Sequence, residues 1–240
     1  MEDKQLTVIE HFSELRKRLM IIAIAVIIGT ILSYKYIDLL IDIIVKPSQG
    51  LDFIYLSPPE LFMAYIKIAL LVGFTITSPI TLIQIWLFVK PGLKVKERKY
   101  LLFSLLMGVV FFIVGVVFSY FTIIPITINF FVQVQVAQIS PLFSFENYIS
   151  FILSLLLSFG LVFELPLLIS LLSMLNLVTT NTLKKYRKIV ILVTFIVAAI
   201  LTPPDVLSQT LMAIPMLFLY EFSILIATSI EKSKKLKNKE

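Results

Sequence analysis

The sequence predicts an all-α integral membrane protein with six transmembrane helices and both termini in the cytoplasm. Of the 240 residues, 59% are hydrophobic and only 15% are charged, which is more apolar surface than a soluble domain of this size can bury. The mean hydropathy is +1.00. Long apolar runs separated by short polar stretches divide the chain into helices, because one span needs about 20 predominantly apolar residues.

A single membrane domain over residues 1–240 is expected, beginning with a cytoplasmic amphipathic helix over 1–18. Thr7 and Glu10 form a capping-box pattern that opens this helix. An apolar stripe at spacings of four, three and four predicts that it lies on the membrane surface: Val8, Phe12, Leu15 and Leu19. The predicted spans are residues 19–37, 61–89, 100–121, 149–176, 189–202 and 206–228, and residues 229–240 form a basic cytoplasmic tail.

Prolines and short runs predict irregular regions between and within these spans. Residues 38–60 are expected to form a polar loop, and Pro79 is expected to kink the second span. The segment after the third span contains Pro125 and Pro141, so part of it is expected to lie in the membrane interface. The run from Ile189 to Thr202 has 14 residues, or about 21 Å of helix against a hydrocarbon core of about 30 Å. We therefore expect a short fifth span, and a short sixth span beside it.

The basic residues predict on which side of the membrane each end of the chain lies. Of the 21 lysines and arginines, 18 fall in four segments: the N-terminal segment, the second loop, the fourth loop and the tail. Cytoplasmic segments of membrane proteins carry the excess of basic residues. Six spans with both termini inside satisfy this rule, and they place the third loop and the tip around Pro203 and Pro204 outside.

Several classes of protein are excluded by what the sequence lacks. There is no cysteine and only one histidine, His11, so thiolate and histidine metal sites cannot form. No phosphate-binding loop, dinucleotide fingerprint or hydrolase motif is present. We therefore expect neither an enzyme nor a cofactor, and nucleic acid is not an expected partner.

One acidic residue stands inside a predicted span. Glu164 is the only charge between Ile149 and Val178, and Pro166 follows it two residues later. An ionisable residue at that depth is costly and usually marks a functional site, and the proline is expected to bend the helix beside it. An ion-coupled secondary transporter with Glu164 as its ion site is one interpretation. A structural scaffold that binds no substrate is another.

Two further acids lie on the predicted cytoplasmic side. Glu14 and Glu97 are each surrounded by arginines and lysines. Carboxylates held close together would bind guanidinium groups, since each accepts two parallel N–H bonds from arginine. The simpler interpretation of Glu14 is an i,i+4 pair with Arg18. Asp205 likewise has a simpler interpretation than a functional role, as the N-cap of the sixth helix.

Four motifs occur in order along the chain: His11-Phe12-Ser13-Glu14-Leu15-Arg16-Lys17-Arg18, Phe88-Val89-Lys90-Pro91-Gly92-Leu93 with Glu97-Arg98 after it, Phe163-Glu164-Leu165-Pro166, and Leu201-Thr202-Pro203-Pro204-Asp205-Val206-Leu207-Ser208-Gln209. Together they resemble the TatC family, the multispanning receptors of twin-arginine protein translocation. The resemblance covers essentially the whole chain. It implies kinked helices that form a concave cup.

The resemblance also implies a function and partners. A member of this family binds the twin-arginine signal peptides of folded proteins, assembles with the single-span proteins TatA and TatB in a multimeric complex, and supports export driven by the proton gradient. It lies in the lipid bilayer as a multi-pass protein. Because no N-terminal transit peptide is present, a prokaryotic inner or plasma membrane is expected, although a copy encoded in an organelle would look the same.

The residues that match the family's functional positions follow from the motifs. Glu14 and Glu97 match the acids that bind the paired arginines, with Arg16 in the first motif and with Phe88 and Pro91 shaping the adjoining loop. Glu164 matches an intramembrane acid on the concave side. A polar patch for a partner helix is implied at Ser208, Gln209 and Thr210, and the outer tip at Pro203, Pro204 and Asp205. Lys90 departs from the family, in which this position is usually uncharged.

Overall fold

The protein is almost entirely helical. The computed structural model describes residues 8–48, 51–92, 95–133, 142–201 and 206–237. The α-helices in these ranges, α1 to α10 in chain order, are Val8–Tyr34, Ile37–Val45, Pro58–Val89, Val95–Phe118, Ile124–Gln133, Phe145–Val162, Leu165–Met174, Thr180–Lys185, Arg187–Leu201 and Val206–Lys237. The two strands, β1 (Phe53–Ile54) and β2 (Phe143–Ser144), have two residues each and pair in parallel. The predicted all-α class is confirmed.

Most of these helices are suited to a bilayer. Four segments in the described part of the chain are long and apolar enough to cross one: Pro58–Val89, Leu101–Gln133, Phe145–Met174 and Gln209–Lys234. Glu10–Tyr34 and Ile37–Ser48 pass the same test as a pair bent by 80°. Helix α9 has 15 residues, or about 22 Å, which is short for a bilayer. The chain is thus a multispanning membrane protein, and the count of six spans stays a prediction.

The N-terminal region differs from the prediction of a surface helix followed by a separate span. Helix α1 runs from Val8 to Tyr34 as one element of 27 residues. No glycine or proline lies between Val8 and Ile28, so nothing in the sequence interrupts the hydrogen bonds of the helix at Arg18. The charged turns of α1 are therefore continuous with the first apolar segment, and their position relative to the membrane surface stays a prediction.

Residues 38–60, predicted to be a polar loop, contain a helix. In α2 the apolar residues Ile37, Leu40, Ile41 and Ile44 share one face and pack against the core. The hydroxyl group of Tyr148 donates to the carbonyl of Ile44 at 3.0 Å, which fixes α2 against α6. Asp38 and Asp42 misled the prediction, because they occupy the exposed face of a helix that packs on the core by its apolar side.

The third span is longer than predicted. Instead of ending near residue 121, the helix passes through a π turn at Ser119–Ile123 and continues as α5 to Gln133. Pro125 is the second residue of α5 and directly follows the π turn, where the Ile124 N–H donates to the carbonyl of Ser119. Proline has no N–H with which to continue this hydrogen bonding, which fits an irregular turn at this point of the helix. Pro141 lies outside the described residues.

The fourth span is broken beside Glu164, in agreement with the bend predicted from Pro166. Helix α6 ends at Val162, and α7 begins at Leu165 with Pro166 in its first turn. Buried residues of α6 form the centre of the core, including Ile149, Ile152, Leu155 and Phe159. The break therefore lies at the end of the most buried helix of the described structure.

Helix α10 corrects one expectation, because it has 32 residues and is not short. It also includes the segment predicted to be a basic cytoplasmic tail as far as Lys237, and the side of the membrane on which this segment lies stays a prediction. Contacts with the end of α7 explain the extension. The Lys234 ammonium group donates to the carbonyl oxygens of Ser173 and Met174 at 2.9 and 2.8 Å. Glu231 accepts from the backbone N–H of Thr180 at 2.6 Å, so polar residues near the end of α10 are bound to its neighbours.

Candidate functional site

The start of α1 is held beside the end of α3 by a close crossing of the two helices. A Cβ atom added to Gly73 would lie 2.5 Å from the backbone nitrogen of Thr30, and one added to Gly29 would lie 2.9 Å from the carbonyl oxygen of Gly73. Such small residues let two membrane helices approach backbone to backbone. The crossing thereby fixes the position of the charged first turns of α1 relative to α3.

Glu14 and Arg18 form an ion pair at this end of the molecule. The Arg18 Nε donates to Glu14 Oε1 at 3.1 Å, and Arg18 Nη2 donates to the same oxygen. The third arm of the fork, Nη1, donates to Gln84 Oε1 on α3 at 3.2 Å. The i,i+4 pair is therefore present. Arg18 also bonds to Gln84 of α3, a residue that the sequence did not single out.

One oxygen of Glu14 is left without a partner. Both bonds from Arg18 go to Oε1, whereas Oε2 is buried and accepts no hydrogen bond from any described residue. A buried carboxylate oxygen without a donor is unfavourable, since it has lost water and gained no replacement. The carboxylate is thus half satisfied and can accept a further donor.

An aromatic stack lies beside the ion pair. The rings of His11 and Phe88 stack with centroids 4.3 Å apart and planes 14° apart. This contact again joins the start of α1 to the end of α3. We define the α1–α3 site as His11, Glu14, Arg18, Gln84 and Phe88. Two residues predicted from the motifs, Glu14 and Phe88, therefore belong to one site.

The loop after α3 is held by polar contacts. The Lys90 ammonium group lies 4.7 Å from the ring centroid of Trp86 in a cation–π contact. The Arg98 Nε donates to the carbonyl of Lys90 at 3.1 Å. Pro91, in the 3-10 turn between them, is exposed. The start of α4 is thereby tied to the end of α3.

The structure shows less about two other predicted binding residues, Arg16 and Glu97. Arg16 is exposed on α1. Glu97 belongs to the first turn of α4, and its side chain lies outside the described part of the structure. Its neighbour Arg98 is bonded to Lys90, so the backbone of residue 97 lies at the same end of the molecule as the α1–α3 site.

Glu164 lies at the break between α6 and α7. Its carboxylate faces α4 at Gly108, where an added Cβ atom would lie 3.1 Å from Oε2 and 3.3 Å from Oε1. The side chain is half-buried. Glycine at position 108 therefore leaves room for the acid against the backbone of α4.

The predicted partner-docking patch is described in part. Gln209 Nε2 donates to the carbonyl of Phe195 at 2.8 Å and joins α10 to α9. The Thr210 hydroxyl donates to Val206 in its own helix at 2.6 Å. The side chain of Ser208 and the tip residues Pro203, Pro204 and Asp205 lie outside the described residues.

A polar cluster that the sequence analysis missed joins α3 to α6. Lys67 forms an ion pair with Glu146 and donates to the Ser150 hydroxyl at 2.8 Å, and that hydroxyl donates to Glu146 at 3.2 Å. Lys67 and Ser150 also line an open groove of about 610 Å³ between α1, α3 and α6. The sequence contains a signal for this pair. Lys67 is a single lysine within an apolar run, and Glu146 is an acid that directly precedes another span.

Replacing Lys67 with Met is expected to lower the free energy of unfolding by about 1–3 kcal/mol, because Glu146 would keep only the Ser150 hydroxyl as a donor. Thermal unfolding of the detergent-solubilised protein measures this. Adding Glu146→Gln to Lys67→Met should restore part of the lost free energy of unfolding, since the two side chains interact directly. The exposed Lys35→Met is the control. Equal losses in Lys67→Met and Lys35→Met would contradict the assignment.

Comparison with known proteins yields consistent matches over nearly the whole chain. Residues 10–215 match the family model described as Sec-independent protein translocase protein (TatC). The TatC protein of Carboxydothermus hydrogenoformans is 45% identical over 234 residues, which cover 96% of each chain. That of Aquifex aeolicus is 38% identical and covers 94% of this chain and 96% of its own. A crystal structure described as the twin arginine translocase receptor TatC has a TM-score of 0.81 at 37% identity and covers 92% of this chain and 100% of its own.

Proposed function

The chain belongs to the TatC family of Sec-independent protein translocase proteins, and we propose that it is the receptor subunit that binds twin-arginine signal peptides. The observation that carries this proposal is the state of Glu14. One of its oxygens already accepts a guanidinium group, and the other is buried with no donor among the described residues. Such a carboxylate is suited to a ligand that brings further N–H donors.

The chemistry of arginine fits this arrangement. A guanidinium group offers five N–H donors in a rigid plane and binds a carboxylate through two parallel bonds. Two adjacent arginines require two acids, and Glu97 supplies the second in this proposal. The ordered end of α3, with Phe88 in its stack on His11 and Pro91 in the following turn, would shape the surface between the two acids.

We further propose that capture is followed by insertion and assembly. After the paired arginines have bound on the cytoplasmic side, the apolar part of the signal peptide moves along the concave face toward Glu164. Single-span partners of the TatA and TatB type dock near Ser208, Gln209 and Thr210, in a multimeric complex that uses the proton gradient for export. The hydrogen bond from Gln209 to the carbonyl of Phe195 supports a docking role, because it holds the start of α10 against α9.

Replacing Glu14 or Glu97 with Gln is expected to weaken binding of a twin-arginine peptide by about tenfold or more, because charge-assisted hydrogen bonds to the ligand are lost. Binding to the protein in lipid nanodiscs, measured by fluorescence anisotropy, tests this, with a twin-lysine peptide as the reference ligand. Asp42→Asn, an exposed acid on α2, is the matched control. Undiminished binding in both glutamine variants would refute the proposed site.

A further inference from the structure

We propose that Arg18 is an internal competitor at the α1–α3 site, a guanidinium group that an incoming ligand must displace from Glu14. This inference rests on the proposed function of the α1–α3 site. It assigns to Arg18 a role beyond stabilising α1: the residue lowers the affinity of the site for any ligand that must take its place on Glu14. The ion pair and its surroundings support this in three steps.

The first step is the geometry of the pair. Arg18 directs both Nε and Nη2 to the single oxygen Oε1 of Glu14. Both side chains are largely shielded, with 18% and 22% of their surfaces exposed. At rest, therefore, Glu14 already binds the same chemical group that the paired arginines of a signal peptide would present. A ligand competes with Arg18 rather than entering an empty site.

The second step is the incomplete satisfaction of Glu14. Because Oε2 is buried and has no donor among the described residues, the contact with Arg18 leaves half of the carboxylate unpaired. A guanidinium group that bonds to both oxygens in parallel makes a better match than the fork of Arg18 on one oxygen. The resting pair is thus weaker than the pair a suitable ligand forms, which makes displacement favourable.

The third step is that Arg18 has another partner available. Its Nη1 donates to Gln84 Oε1 on α3 at 3.2 Å. When a ligand takes over Glu14, Arg18 keeps this bond and does not become a buried charge without a partner, which would be costly. The crossing at Gly29 and Gly73 keeps α3 close enough for Gln84 to serve this purpose.

The competition acts on every ligand that binds Glu14, because breaking the pair with Arg18 costs each ligand the same free energy. The preference for arginine over lysine comes from the carboxylate itself, since a lysine ammonium group has no planar fork and cannot bond to both oxygens in the parallel geometry of arginine. Arg18 therefore lowers the affinity of both ligands by a similar factor and leaves the ratio of the two affinities unchanged.

Arg18→Gln is therefore expected to tighten binding of a twin-arginine peptide by about threefold to tenfold, and that of a twin-lysine peptide by a similar factor, because both ligands are freed from the same competitor. Lys17→Gln, an exposed neighbour, removes the same charge and controls for general electrostatic attraction. Arg18→Lys, which keeps the charge and loses the fork, should fall between. Gln84→Leu should weaken arginine-peptide binding, because Arg18 loses its alternative partner.

Fluorescence anisotropy in nanodiscs measures each affinity, and thermal unfolding verifies that each variant is folded. Unchanged or weaker binding in Arg18→Gln relative to Lys17→Gln would overturn the inference and leave Arg18 as a structural partner of Glu14. The failure of the proposed function looks different, because Glu14→Gln would then bind as tightly as the unaltered protein. Loss of binding in Glu14→Gln without a gain in Arg18→Gln refutes the inference alone.

Discussion

Replacing Gly73 with Val is expected to prevent stable packing of α1 on α3 and to lower the free energy of unfolding by about 3 kcal/mol or more. A Cβ atom at this position would lie 2.5 Å from the nitrogen of Thr30 and 2.7 Å from the carbonyl carbon of Gly29. These atoms belong to the backbone of α1 and cannot rotate away as a side chain could. The helices must therefore separate, and the contacts along their interface weaken together.

Thermal unfolding and size-exclusion chromatography in detergent measure this effect. Ile76→Val is a suitable control, because Ile76 lies on the same helix and is 65% exposed. Since α1 carries Glu14 and Arg18, and α3 carries Gln84, the Gly73 variant should also lose the hydrogen bond between Arg18 and Gln84. A Gly73→Val protein that unfolds at the temperature of the control would show that the crossing contributes little.

Features encoded locally could be predicted from the sequence. The hydropathy pattern indicated a helical membrane protein, since apolar runs of spanning length have no alternative in a soluble fold. The spacing of Glu14 and Arg18 by four residues allowed their pair as the simpler interpretation of Glu14, and the structure contains this pair. Pro166 predicted the break beside Glu164, because proline removes a backbone donor from its own helix.

Features that depend on distant parts of the chain could not be predicted. Gln84 lies 66 residues after Arg18, and Glu146 lies 79 residues after Lys67. Without a known arrangement of the helices, Lys67 is explained equally well by a side chain that reaches the membrane surface. The extent of α10 has the same cause, because Lys234 and Glu231 are bound to residues of the preceding helices rather than to solvent.

The position of Glu164 leads to a different kind of prediction from those for paired charges. The carboxylate lies against Gly108 and, within the described ranges, no side chain donates a hydrogen bond to it. Removing a group that forms no compensating bond should not destabilise the fold, unlike breaking the pair of Lys67 and Glu146. A half-buried acid that does not stabilise its own protein is best explained by an interaction with another molecule.

We therefore expect Glu164→Ala to keep the thermal stability of the protein and its binding of a twin-arginine peptide, and to reduce export of a folded substrate strongly in membrane vesicles with the partner proteins present. Glu146→Gln is the matched acid on the same broken span and should lower stability instead. Gly108→Ala retains the acid but places a methyl group 3.1 Å from its Oε2 atom. Because the carboxylate must then move, export should fall in this variant too, between the values of the unaltered protein and of Glu164→Ala. Normal export in Glu164→Ala, or loss of peptide binding with export retained, would overturn the division between capture at Glu14 and a later step at Glu164.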